Sequence, residues 1–209
     1  MQKVITIVDY GMGNIHSLKN AFYQIGARVN VTSDPEEIRK ADVIILPGVG
    51  SYGQAVSNIK KFDLKEAIIE SGVKRAIPFL GICLGMQLLS SRGEEDGLND
   101  GLNFIDGEVL KMKNDSVRLP HIGFNQAEII YDRKGIFSNI NNNSDFYFVH
   151  SYKFVCKHEQ NILSTTTYGE KFISSVQKDN IFGFQFHPEK SQSNGLQLLN
   201  NFVKIASKI

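Results

Sequence analysis

The first half of the chain alternates two hydrophobic patterns. Short unbroken apolar runs at 4–8, 43–46 and 79–82 read as strands buried on both faces, the pattern of a parallel sheet. Between them, apolar residues return every three or four positions. Ile15, Leu18, Phe22 and Ile25 make one helical stripe, with Asn14 placed to cap its start and Gly26 to stop it. Residues 28–31 read as a short strand. Asp34-Pro35-Glu36-Glu37 is a helix start: a capping side chain, proline in the first turn, then acids. Further helical patterns cover 52–59, 64–70 and 84–89. This alternation predicts parallel βαβ units with right-handed crossovers.

The rhythm changes after Gly93. Residues 93–103 are polar and glycine-rich and read as a loop. Strand patterns follow at 108–112, 126–130, 146–149, 162–167, 172–177 and 181–186, spaced as hairpins. Asn139 to Asn143 reads as a loop tip. A last helix, 195–206, carries Leu196, Leu199, Val203 and Ala206 on one face. The expected architecture is α/β: a mixed sheet, parallel in the first half with antiparallel extensions in the second, and helices on both sides. No internal repeat or linker interrupts it, so 209 residues are read as one domain.

Composition narrows the classes. The net charge of +1 offers no electrostatic case for nucleic acid or an anionic membrane as main partner. Two cysteines, Cys83 and Cys156, are too few for a disulfide framework and suit a reduced, cytoplasmic protein. The N-terminal apolar run ends at Asp9, too short for a signal peptide or membrane span. The sequons at Asn114 and Asn142 are then chance matches. His16, His121, His150 and His158 lack metal-ligand spacing, so no metal is expected. Glu94-Glu95-Asp96 reads as a solvated loop. Gly11-x-Gly13 lacks the third glycine of a dinucleotide loop, position 16 being His, so no cofactor is implied.

The candidate chemistry lies at Gly81-Ile82-Cys83-Leu84-Gly85-Met86-Gln87. Gly-x-Cys-x-Gly between a strand and a helix matches the strained turn that presents a nucleophile, with cysteine in place of serine. Flanking glycines let backbones crowd the turn, and a helix start favours thiolate. A cysteine beside an apolar strand is ordinarily inert core; the glycines set this one apart. A base is offered by Phe184-Gln185-Phe186-His187-Pro188-Glu189. Pro188 ends any ladder, and in an extended segment Glu189 shares a side with His187 and can orient it. That is nucleophile, base and orienter. Pro47-Gly48-Val49-Gly50 can turn a backbone N–H toward an oxyanion, with the Leu84 amide as second donor.

Taken together, Gly81 to Gln87 and Phe186-His187-Pro188-Glu189 resemble the triad-type class I glutamine amidotransferases. Asp9-Tyr10-Gly11-Met12-Gly13-Asn14, the Pro47 to Gly50 run, Arg118-Leu119-Pro120-His121-Ile122-Gly123-Phe124-Asn125 and Tyr147 to Tyr152 extend the match over essentially the whole chain. They make it similar to the HisH-type glutaminase subunits of imidazole glycerol phosphate synthase. The resemblance implies a flavodoxin-like fold. It implies that Cys83 attacks the side-chain amide of L-glutamine, that His187 moves the proton and that Glu189 orients His187. The oxyanion donors map to the amides of Val49 and Leu84, with Gly48 and Gly50 supplying flexibility. The glutamine pocket maps to Gln87 and the backbone of Ser151 and Tyr152. Ammonia would pass to a HisF-type (β/α)8 cyclase subunit, and Asn14, Pro120, His121, Gly123, Phe124, Asn125 and Lys190 would face that partner. Cyclase binding would favour the oxyanion-ready state of the Pro47 to Gly50 strand.

One departure stands out: the family usually carries Trp where this chain has Phe124. Phe keeps an aromatic contact and loses the indole donor. Two ammonia acceptors fit the resemblance. One is the histidine-pathway nucleotide, toward which the reading leans; the other is a surface-sugar precursor that receives an amidino group from paralogous pairs. A cysteine peptidase of related fold would share Cys83 and His187 but not Gln87 and Glu189. A non-catalytic subunit would not need all three.

Overall fold

A computed structural model describes residues 3–113 and 116–208; the Asn114 sequon lies outside them. Two sheets form. The larger has nine strands: β1 (Val4–Val8), β2 (Arg28–Thr32), β3 (Val43–Leu46), β4 (Phe79–Ile82), β8 (His121–Ile129), β9 (Ser144–His150), β11 (Ile162–Tyr168), β12 (Glu170–Lys178) and β13 (Ile181–Phe184). The smaller pairs β5 (Arg92–Gly93), β6 (Asn99–Asp100), β7 (Gly107–Lys111) and β10 (Tyr152–Cys156). The helices are α1 (Ile15–Gln24), α2 (Pro35–Lys40), α3 (Tyr52–Lys61), α4 (Lys65–Ile69), α5 (Leu84–Gln87) and α6 (Gln192–Ala206). No helix among the described residues is long and apolar enough to cross a membrane.

The large sheet runs in the order β2-β1-β3-β4-β13-β12-β11-β8-β9. It is parallel from β2 through β13 and antiparallel beyond, the mixed arrangement expected. The unbroken apolar runs are explained by parity. Ile5, Ile7, Val43, Ile45, Leu80 and Ile82 belong to the core layer with Leu18 and Phe22 of α1 and Phe202 of α6. Val8, Ile44, Leu46 and Phe79 belong to a second layer with Ile38 of α2, Ile59 of α3 and Ile68 of α4. Alternate side chains leave opposite faces of a strand, so a doubly covered strand must be apolar throughout.

The helix starts follow their capping chemistry. Asn14 Oδ1 accepts from the Ser17 amide at 3.3 Å, and Asp34 Oδ1 from the Glu36 amide at 2.9 Å. Four expectations shift. The loop at 93–103 is not structureless, because β5 and β6 pair across it. No strand was expected at β10, whose partner β7 lies far off in sequence. β8 begins at His121, so part of the expected partner-facing stretch is a strand paired with β9. Finally, α6 is rotated: Leu198, Phe202 and Ile205 join Leu199 and Ala206 in burial, while Leu196 and Val203 are half-buried at its edge. An apolar stripe this broad has two readings, and the bulkier residues take its centre.

Candidate active site

The Cys83 turn is built by backbone meeting backbone. β4 ends at Ile82, Cys83 adopts φ +54° and ψ −110°, and α5 begins at once. A non-glycine residue at positive φ is costly and persists only where its surroundings over-determine it. Here they do. The Cys83 amide donates to the Phe184 carbonyl at 2.7 Å, and its carbonyl accepts from the Gln87 amide at 3.1 Å. A Cβ at Gly81 would lie 2.5 Å from the Gly85 carbonyl oxygen; one at Gly85 would overlap the Leu46 carbonyl oxygen. Neither glycine can be replaced without moving main chain.

The neighbouring turn is fixed from beneath. Tyr10, fully buried, donates its hydroxyl to the Pro47 carbonyl at 2.6 Å. Burial, reinforced by nearby Cys83, raises the phenol far above its ordinary pKa, so it stays a donor. Gly48 is wedged there: a Cβ would lie 2.8 Å from that of Leu84. Val49 and Gly50 are exposed, and Gly50 adopts φ +110°.

β13 lies parallel to β4 in the sheet and leads to the third component. His187 follows the end of β13, its amide donating to the Tyr147 carbonyl at 2.8 Å. Residues 188–190 form a 3-10 turn, not the extended segment expected, and the turn folds Glu189 back so that its Oε1 lies 2.8 Å from His187 Nδ1. The two side chains are 2% and 3% exposed. Ser191 secures the turn: its hydroxyl donates to the His187 carbonyl at 2.6 Å and accepts from the Tyr147 amide at 2.9 Å. Burial opposes charge on His187, but Cys83 and then Glu189 outweigh it and raise the imidazole to about 10. Nε2 is buried and has no hydrogen-bond partner in this resting geometry.

Val49, Gly50, Cys83, Leu84, Gln87, Val149, Ser151 and Tyr152 line one cavity of about 110 Å³. That is far below the roughly 300–1,000 Å³ of sites for drug-sized molecules and suits a slim ligand. Larger cavities of about 380 and 470 Å³ lie elsewhere and contain neither Cys83 nor His187. The sequence reading missed three lining residues, Glu95, Val149 and His150. Glu95 was taken as solvated loop. It is half-buried, its carboxylate accepting from the Tyr52 amide at 2.9 Å, and burial leads in raising its pKa. The small sheet brings it here, and no local pattern announces that pairing.

The residues expected to face a partner divide. Ile122 and Phe124 of β8 are 59% and 50% exposed, an unusual show of apolar surface, and Phe124 meets Tyr147 edge to face. Lys190 lies over the same Tyr147 ring; Pro120 is exposed, and Asn14, Gly123 and Asn125 are partly exposed. His121 departs from the expectation. It is 2% exposed, stacked on Tyr168 and Phe148, and directed at His150. Alternation along β8 sends it inward while Ile122 and Phe124 point out. Among the described residues no cluster of three or more His, Cys, Asp or Glu could hold a metal.

A buried thiol in a strained strand–helix turn, near a histidine–carboxylate pair and over a small cavity, describes a cysteine-dependent acyl-transfer enzyme. The chain belongs to the class I glutamine amidotransferase family, whose model matches residues 6–206. It is 46% identical, over 97% of its length and all of the relative's, to imidazole glycerol phosphate synthase subunit HisH 1 of Campylobacter jejuni subsp. jejuni serotype O:23/36 (strain 81-176). It is 49% identical to the HisH subunit of Pyrococcus furiosus, over 96% of this chain and 98% of that one. Among solved structures, PurLQS from Thermotoga maritima aligns with a TM-score of 0.71 at 18% identity, covering 98% of this chain and 99% of that one. A crystal structure described as a glutamine amidotransferase aligns with a TM-score of 0.75 at 16% identity, covering 97% and 98%. At those identities the structural likeness concerns the fold.

Proposed function

We infer that this chain is the glutaminase subunit of imidazole glycerol phosphate synthase, hydrolysing L-glutamine to glutamate and ammonia for a partner subunit in histidine biosynthesis. Full-length similarity to HisH subunits supports the pathway. The observation that carries the chemistry is the buried His187–Glu189 pair, Nδ1 to Oε1 at 2.8 Å, set beside the strained turn of Cys83.

Cys83 acts as the thiolate and His187 as the imidazolium. The sulfur attacks the side-chain carbonyl carbon of glutamine, and electron density moves onto the oxygen, which the Val49 and Leu84 amides receive. His187 gives its proton to the departing nitrogen as the C–N bond breaks, releasing ammonia and leaving a γ-glutamyl thioester. A water then loses its proton to His187 and attacks the thioester; glutamate leaves and the thiolate returns. Glu189 holds the imidazole through Nδ1, so that Nε2 is the working nitrogen. Gln87, Glu95 and the backbone of Ser151 and Tyr152 hold the rest of the substrate; Glu95 is the cavity's carboxylate and suits the substrate's ammonium group.

The partner is a HisF-type cyclase seated on the exposed Ile122–Phe124 strip, with Asn14, Pro120, Asn125 and Lys190 around it. Glutaminase turnover of the chain alone and with cyclase plus its nucleotide tests this reading. The partner should raise the rate; equal rates contradict it.

A further inference from the structure

Taking Cys83 as the nucleophile, we propose that the buried amide of Gln185 is a further catalytic group, donating a hydrogen bond to the Cys83 sulfur, and that it is aimed by a hydrogen-bond chain whose polarity is fixed from end to end.

The polarity follows from atoms that can only accept. The Tyr152 carbonyl lies 2.9 Å from His150 Nδ1 and 3.0 Å from Gln87 Nε2. A carbonyl has no proton to give, so both neighbours must donate. A neutral His150 with its proton on Nδ1 has Nε2 free to accept. His121 Nδ1, 3.2 Å away, must then be the donor, which leaves His121 Nε2 to accept from the Asn125 amide at 3.3 Å. Both imidazoles are neutral: burial lowers His121 to about 4, and burial leads in lowering His150 to about 3. On the other side, the atom of Gln87 at the Tyr152 carbonyl is an NH₂ group. Its second proton meets Gln185 at 3.1 Å, and that atom of Gln185 must be the oxygen. The remaining end of the Gln185 amide is its NH₂, 3.8 Å from Cys83 Sγ. No amide along this path can flip without setting donor against donor or acceptor against acceptor.

The sulfur needs such a donor. As a thiol it can donate to the Val149 carbonyl at 3.9 Å; as a thiolate it faces that carbonyl with no proton between them. A hydrogen bond to the charged form stabilises it. Gln185 is fully buried between Phe184 and Phe186, a site where an amide side chain is costly unless its polar atoms are used. The charged and titratable groups around Cys83 are His187, Tyr10, and His150 and Glu95 from the cavity wall. None of them is altered by a change at Gln185.

The test is the pH profile of Cys83 alkylation by iodoacetamide, which needs no glutamine and so stands apart from the proposed function. In Gln185→Met, which keeps the shape and removes the donor, alkylation near neutral pH should slow about tenfold as the thiolate loses its hydrogen bond. In His121→Phe, which keeps the ring stacking and removes the donor to His150, it should slow in the same direction by a smaller factor, about threefold. In the unaltered protein the Gln185 side-chain amide proton should shift with Cys83 ionisation, read by NMR; this measurement serves if Gln185→Met does not fold. A folded Gln185→Met with the parental profile, or a Gln185 amide blind to Cys83 ionisation, overturns the proposal. A parental profile in His121→Phe overturns the aiming chain.

Discussion

The turn that carries Cys83 and the loop that carries His187 leave neighbouring strands of one sheet, yet they are held differently. At Cys83 the restraint is main chain on main chain: Gly81 against Gly85, and Gly85 against the Leu46 carbonyl. At His187 side chains are added to such packing: a Cβ at Gly195 would overlap the Pro188 carbonyl oxygen, while Ser191 pins the backbone and Glu189 pins the ring. The first kind of restraint admits almost no substitution, whatever the chemistry of the newcomer. The second tolerates change in shape but not in hydrogen-bonding character. Cys83 is thus held by geometry, His187 by geometry and hydrogen-bond chemistry together, and each half fails in its own way.

The largest effect should come from the chemical half. Glu189→Gln keeps the shape of the side chain but removes the charge that helps hold His187 protonated. Glutamine turnover should fall on the order of 100-fold, and the His187 pKa, followed by NMR, should fall below its value of about 10. An unchanged His187 titration would break the contrast. Gly85→Ala tests the geometric half. The added methyl overlaps main chain, so thermal unfolding should show a loss of about 3 kcal/mol or more. Gly26→Ala is its control: Gly26 has φ +76° and open space around it, so only the backbone penalty of about 1–2 kcal/mol applies. Equal losses at the two sites would deny that crowding is the reason for Gly85. Ser191→Ala removes two hydrogen bonds from the His187 loop, costing about 1–3 kcal/mol, with a rise in the KM for glutamine smaller than the fall in kcat.

Acid should expose the buried imidazole pair. His121 and His150 ionise near 4 and 3 when folded and near 6.5 when unfolded. Between pH 6.5 and about 4 the unfolded chain therefore binds protons that the folded chain refuses, and stability falls as pH falls. His187 acts oppositely. Its raised pKa contributes stability that is complete below pH 6.5 and lost as pH rises toward 10. His121→Phe should flatten the acid side of a melting-temperature profile and leave the alkaline side alone.

The Cys83 turn was legible in the sequence because its causes are local. Gly81, Cys83 and Gly85 stand within one turn, and the apolar runs of β1, β3 and β4 mark the parallel core. Asn14 and Asp34 announced their helices through side chains that cap the next turn. What stayed hidden depends on pairing across long sequence distances. Glu95 looked solvated because nothing near it tells of the small sheet that seats it by the cavity. His121 looked partner-facing until β8 paired with β9 and set its parity inward. Gln185 did leave a trace, an amide between two phenylalanines in a buried run, but its role needs Gln87 and Tyr152, which only the fold brings beside it.

The central claim is that Cys83 is the atom that takes the glutamyl group. A chloroketone analogue of glutamine, followed by peptide mapping, tests it most directly. The account predicts a single adduct on Cys83, protection by glutamine, loss of glutamine-dependent turnover and full retention of ammonia-dependent synthesis by the complex. Inactivation with the adduct on Cys156, or glutaminase activity surviving full modification of Cys83, would contradict it.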